Sequence, residues 1–171
     1  FLCVTGVQTC ALPIWPATVG TTRPLEVLFG APDLDASAVL AEMHRMGSEW
    51  LAGCALRECW FTPTFHKHAG QLCSGLMIHA EGAFYDHLAF RPWRLQALAF
   101  KAIRALHPDY PIWRDFPYEY EFERLAIDVI NGGQALREWV DDPTSRPGDL
   151  DALASADEVR WRSEIADFLL Y

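Results

Sequence analysis

Two short stretches of this chain concentrate side chains able to do chemistry. Phe61-Thr62-Pro63-Thr64-Phe65-His66-Lys67-His68 sets two histidines, a lysine and two threonines beside a proline. Polar groups this dense, next to apolar strand-like segments, suit a binding loop carried at a sheet edge, because loops on a rigid scaffold present functional groups. A solvated hairpin tip is the alternative. His66 and His68, two positions apart, share a face of an extended chain, and Cys73 or His79 would supply a third donor for zinc. The spacing matches neither HExxH nor paired CxxC. The competing reading aims Lys67 and one histidine at a ligand hydroxyl or carboxylate, or at solvent.

The second stretch is Tyr118-Glu119-Tyr120-Glu121-Phe122-Glu123. In an extended chain Glu119, Glu121 and Glu123 line one face and the aromatics the other, which offers acid and base groups of the kind that break a glycosidic bond. That reaction needs two carboxylates on opposite sides of the sugar. Alternate residues of one strand lie about 7 Å apart and point the same way, so they flank a substrate poorly. The geometry favours a structural or substrate-orienting role over catalysis.

The rest of the chain has to position these groups. Its 171 residues, 51% hydrophobic and 13% aromatic with seven tryptophans and ten phenylalanines, suffice for one domain with a real core. A formal charge of −9 without any lysine- and arginine-rich run argues against a nucleic-acid or anionic-membrane partner, both of which need a concentrated positive face. Five cysteines do not make a disulfide framework at this length. Whether Cys54 and Cys59 pair stays open. No apolar run reaches the roughly 18 residues of a spanning helix.

Helix and strand signals are interspersed. Pro24 to Phe29, after two threonines and before Gly30, predicts a single helical turn ending at a glycine. Asp35 is a good N-cap for a helix with Val39, Leu40 and Met43 on one face, closing at Gly47. Ala55–Phe61 and 72–79 read as two strands joined by the histidine-bearing loop. Pro92 opens an amphipathic helix on which Leu95, Leu98, Ala99, Ala102, Ile103 and Leu106 share a face, ending before Pro108. Tyr118 to Ile130 reads as extended, stopping at Asn131-Gly132-Gly133, and a short helix follows through Leu136 and Trp139. After a loop over 141–148, Ser155 and Glu158 at capping-box spacing start a last helix lined by Trp161, Ile165, Phe168 and Leu169. The expected class is α+β, a small mixed sheet covered by helices.

Residues 1–14 stand apart. Val4 to Ile14 resembles the translation of a widely used sequencing adapter, so this leader is expected to be non-native and the true upstream sequence lost.

Several ordered motifs carry a resemblance. Gly20-Thr-Thr-Arg-Pro24 with Gly30-Ala-Pro32, then Phe61-Thr-Pro-Thr-Phe65 with Lys67-His-Ala-Gly70 and Cys73, then Tyr118-Glu-Tyr-Glu121 with Ile127-Asp128, and finally Phe168-Leu-Leu-Tyr171, resemble the series found in NamZ-type exo-β-N-acetylmuramidases. The likeness runs over residues 18 to 171. It implies that 15–171 is the carboxy-terminal domain of a glycosidase releasing terminal N-acetylmuramic acid from the non-reducing end of peptidoglycan fragments, in cell-wall recycling, without a cofactor or metal. The catalytic group is then expected in a missing Rossmann-like amino-terminal domain, with the cleft near the junction. By position, Thr22, Arg23, Lys67, His68, Tyr118 and Glu119 are the substrate-binding candidates. Arg23 would grip the lactyl carboxylate and Tyr118 would stack on a sugar face. His66 stands where the family usually carries serine, which argues against an essential role for it. The resemblance also implies a secreted or periplasmic location. A non-catalytic cell-wall-binding or interdomain packing module is the alternative, and a metal hydrolase built on His66, His68 and Cys73 ranks last.

Overall fold

A computed structural model describes residues 26–65, 68–113 and 121–169. Three strands, β1 (Val27–Ala31), β2 (Ala55–Phe61) and β3 (Cys73–His79), form one sheet in the order β1-β3-β2. Both pairings are antiparallel. The helices are α1 (Ala36–Gly47), α2 (Pro92–Leu106), α3 (Ala126–Asn131), α4 (Ala135–Asp141) and α5 (Pro147–Ile165), with short 3-10 turns at Ser48–Leu51, Gly82–Phe84 and Ala166–Phe168. This is the expected α+β class, with a wholly antiparallel sheet where a mixed one was expected. No helix among the described residues is long and apolar enough to cross a membrane.

Local chemistry accounts for most boundaries. The Asp35 carboxylate accepts from the Ser37 and Ala38 amides at 2.9 and 3.3 Å and so starts α1, which buries Val39 and Met43. Pro92 at the first turn of α2 has no N–H to leave unsatisfied. Helices α1 and α2 pack together over the sheet, and Phe29, Met43, Leu76, Leu95, Leu98 and Ile103 form the centre of the core.

Three expectations need correction. The segment read as a helical turn over 24–29 contributes instead to β1, which starts at Val27; Pro24 and Leu25 lie outside the described residues. Val27, Leu28 and Phe29 are a continuous apolar run, the pattern of a strand buried on both faces, and Leu28 is the extra residue of a bulge opposite β3. The stretch read as extended up to Ile130 turns helical at Ala126, because Gly132, at φ 80°, is a left-handed helix cap and not a strand end. The last helix begins at Pro147, with Asp149 accepting from the Arg146 amide at 2.8 Å, and Ser155 is internal to it. Of that helix only Leu150 is buried, so Trp161 and Phe168, 44% and 82% exposed, line no core.

Candidate functional site at one end of the sheet

The strand register gathers three of the motif segments, those of Gly30-Ala31, Phe61 and Cys73. Phe61, which opens the Thr-Pro-Thr loop, pairs with Cys73; Gly30 pairs with Gly75 and Ala31 with Ser74. A Cβ on Gly30 would lie 2.2 Å from the Phe61 ring, and one on Gly75 would lie 2.2 Å from the Phe29 carbonyl oxygen. The ring therefore rests where only glycines leave room, and this packing seats the start of the loop.

The loop itself is tied back to its own base. The Gly70 amide donates to the Pro63 carbonyl at 2.9 Å and the Gln71 amide to that of His68 at 3.0 Å. His68 takes a φ of 62°, a left-handed conformation uncommon for a residue with a side chain. Among the substrate-binding candidates, His68 is placed here on the loop, whereas Thr22, Arg23, Lys67, Tyr118 and Glu119 lie outside the described residues, as does His66.

Beyond Ala31 the chain turns into α1, and Ser74 Oγ fixes that turn by accepting from the Ala36 amide at 3.1 Å. Asp33, exposed in this turn, accepts a 3.1 Å hydrogen bond from the Tyr110 hydroxyl. Burial, reinforced by the Asp33 charge and the bond to it, holds the Tyr110 phenol well above its ordinary range. The pair is a firmly protonated phenol beside a carboxylate. On the opposite edge of the sheet, Trp60 pairs with Ser74, which in turn pairs with Ala31, so the three share a face. Trp60 is 61% exposed. Two strand spacings separate the edges, about 10 Å, the scale of two linked sugar rings.

Nothing local in the sequence singles out Asp33, Tyr110 or Trp60. Tyr110 follows α2 in an unremarkable Asp-Tyr-Pro turn, and no local spacing ties it to Asp33. An aromatic in a strand likewise reads as core until the sheet order shows that β2 is an edge.

The alternative chemistries fare less well. Cys73 and His79 mark opposite ends of β3, about 20 Å apart for seven extended residues, so they cannot share an ion. Burial, and then the Asp33 charge, push the Cys73 thiol up, and burial does the same for Cys54 and Cys59. All three are free thiols. Glu121 accepts from the amides of Phe122 and Glu123 at 3.1 and 2.9 Å and from Arg124 at 2.8 Å. The Glu123 amide foremost, then Arg124, hold its carboxyl below the usual range. Asp128, 3% exposed, is clamped by Arg137 Nε and Nη2 at 2.9 and 2.8 Å. Both carboxylates are committed to arginines, and Glu121 also to backbone amides, so their roles are structural.

Comparison with known proteins supplies the context. Over 127 residues the chain is 30% identical to a protein of Bacillus subtilis (strain 168) named peptidoglycan beta-N-acetylmuramidase NamZ, a match that covers 74% of this chain and 27% of that one. The fold is shared with a crystal structure of a DUF1343 family protein from Bacteroides fragilis NCTC 9343, at a TM-score of 0.66 and 19% identity, covering 98% of this chain and 40% of that one. The chain thus spans well under half the length of either relative. Residues 16–171 match the family model described as exo-beta-N-acetylmuramidase NamZ, C-terminal, and the chain belongs to that family.

Proposed function

We propose that this chain is the sugar-orienting half of an exo-β-N-acetylmuramidase that trims non-reducing terminal N-acetylmuramic acid from peptidoglycan fragments during cell-wall recycling, outside the cytoplasmic membrane. The catalytic carboxylate then belongs to an amino-terminal domain not included in these residues. One observation carries this reading: the motif residues Gly30, Ala31, Phe61 and Cys73 meet at a single end of the sheet, with Asp33, Tyr110 and Trp60 beside them, while Glu121 and Asp128 are spent on internal bonds. An indole face stacks on the C–H face of a pyranose, and the Asp33–Tyr110 pair offers a carboxylate oxygen and a phenol to its hydroxyls and acetamido group. On the family resemblance alone, Thr22, Arg23, Lys67, His68, Tyr118 and Glu119 are the further substrate contacts of this proposal, with Arg23 on the lactyl carboxylate.

Calorimetric titration of the chain with N-acetylmuramic acid and with N-acetylglucosamine tests the proposal. The account expects weak saturable binding that favours the muramic acid. Equal indifference to both sugars favours an interdomain packing module.

A further inference from the structure

A second site lies at the far end of the helical pair. Helix α1 leads away from the Asp33 turn for twelve residues, about 18 Å at 1.5 Å per residue. Where it ends, the turn bearing Glu49 and Trp50, the segment Ala89 to Arg91 before α2, and one face of α5 enclose a cleft of about 560 Å³. That volume is in the range of small-molecule sites. Asp151, Ser155, Glu158 and Arg162 recur at i, i+4, i+7 and i+11 along α5, so the helix turns a polar stripe toward this space.

The charges of the cleft are divided unequally between internal and outward use. Arg94, its side chain 8% exposed, donates from Nε to Asp151 at 2.5 Å and from Nη1 to Glu158 at 2.9 Å. These two carboxylates are thereby engaged by a buried guanidinium that lines the cleft. Arg91 and Arg162 line the same space, are exposed, and make no side-chain hydrogen bond or ion pair among the described residues. Arg91 is also the N-cap of the fifteen-residue helix α2, whose first turn has no side-chain cap, so the positive end of that helix adds to the two guanidinium groups. Glu49 also lines the cleft and supplies a carboxylate acceptor.

We propose that this cleft binds a small hydroxylated carboxylate, of the size of a sugar acid. Arg91 and Arg162 take the carboxylate between them, and Glu49 accepts from a hydroxyl or N–H of the same ligand. Guanidinium forks match a carboxylate with paired, charge-assisted hydrogen bonds. The site is separate from the Asp33–Tyr110 end and stands without the function proposed above.

Residue-resolved NMR titration of the chain with N-acetylmuramic acid, beside N-acetylglucosamine as the twin without the lactyl carboxylate, tests it. The expected result is saturable shifts of the Trp50 indole and of the Arg91 and Arg162 resonances with the acid alone. Arg91→Gln or Arg162→Gln each weakens this binding about tenfold, and Arg57→Gln on the sheet edge leaves it unchanged. Absence of shifts at Trp50, or equal affinity of the arginine variants, overturns the proposal. Shifts confined to Asp33 and Tyr110 overturn it too, while upholding the sugar site.

Discussion

The Tyr110 hydroxyl donates to the Asp33 carboxylate at 3.1 Å, joining positions 77 residues apart at the end of the sheet where Phe61 pairs with Cys73. Because the native phenol titrates above the ordinary value of 10.0, the fold keeps a proton that the unfolded chain releases first. Stability from this group is therefore fully present below about pH 10 and declines as pH rises beyond it. Urea midpoints measured from about pH 8 to about pH 11 should fall more steeply for the wild type than for Tyr110→Phe.

Gly75→Ala should destabilise more than Gly30→Ala. The new methyl on Gly75 meets a backbone oxygen of Phe29, which cannot swing aside, whereas that on Gly30 meets the Phe61 ring, a side chain. Overpacking of this kind costs about 1 to 3 kcal/mol, and thermal denaturation of the two variants reads the order directly.

Lys101 is buried and binds α2 to the end of α4. Its Nζ donates to the carbonyls of Trp139 and Asp142 at 2.7 and 2.5 Å and to Ser145 Oγ at 2.7 Å, 5.0 Å from the centre of the Trp139 ring. Lys101→Met keeps the volume and strands those acceptors. A loss of roughly 2 to 4 kcal/mol is expected in chemical denaturation.

Asp128→Asn removes one partner of a buried pair and should lower stability by about 3 kcal/mol. In a chimera carrying the remainder of the Bacillus subtilis relative ahead of residues 16–171, kept below its melting temperature, turnover should stay within a few-fold. Loss of turnover with unchanged stability would make Asp128 catalytic instead.

Trp60 has little folded-state packing to lose, so Trp60→Ala should change stability by less than about 0.5 kcal/mol. Its effect should fall on affinity for a peptide-free glycan disaccharide, by about tenfold, as measured by calorimetry.

What the sequence made legible was whatever local chemistry decides. Asp35 and Gly47 bound α1, Pro92 opens α2, and the run Ala55–Phe61 became β2 without change. Missed features depend on partners distant in the chain. Val27 to Phe29 could be read as a helical turn until pairing with β3 made it a strand, and Gly132 caps a helix as readily as it ends a strand. The loop Phe61 to Gly70 stands out as a candidate by its composition alone. Asp33 and Tyr110 come from elements that only the tertiary fold brings together.

The most direct measurement is hydrolysis of a chromogenic β-N-acetylmuramide by the folded chain, beside a chimera in which the remainder of the Bacillus subtilis relative precedes residues 16–171. The account predicts turnover by the chimera and none by the chain alone. Turnover by the chain alone would place the catalytic carboxylate among its own residues and contradict the assignment of Glu121 and Asp128 to structural roles.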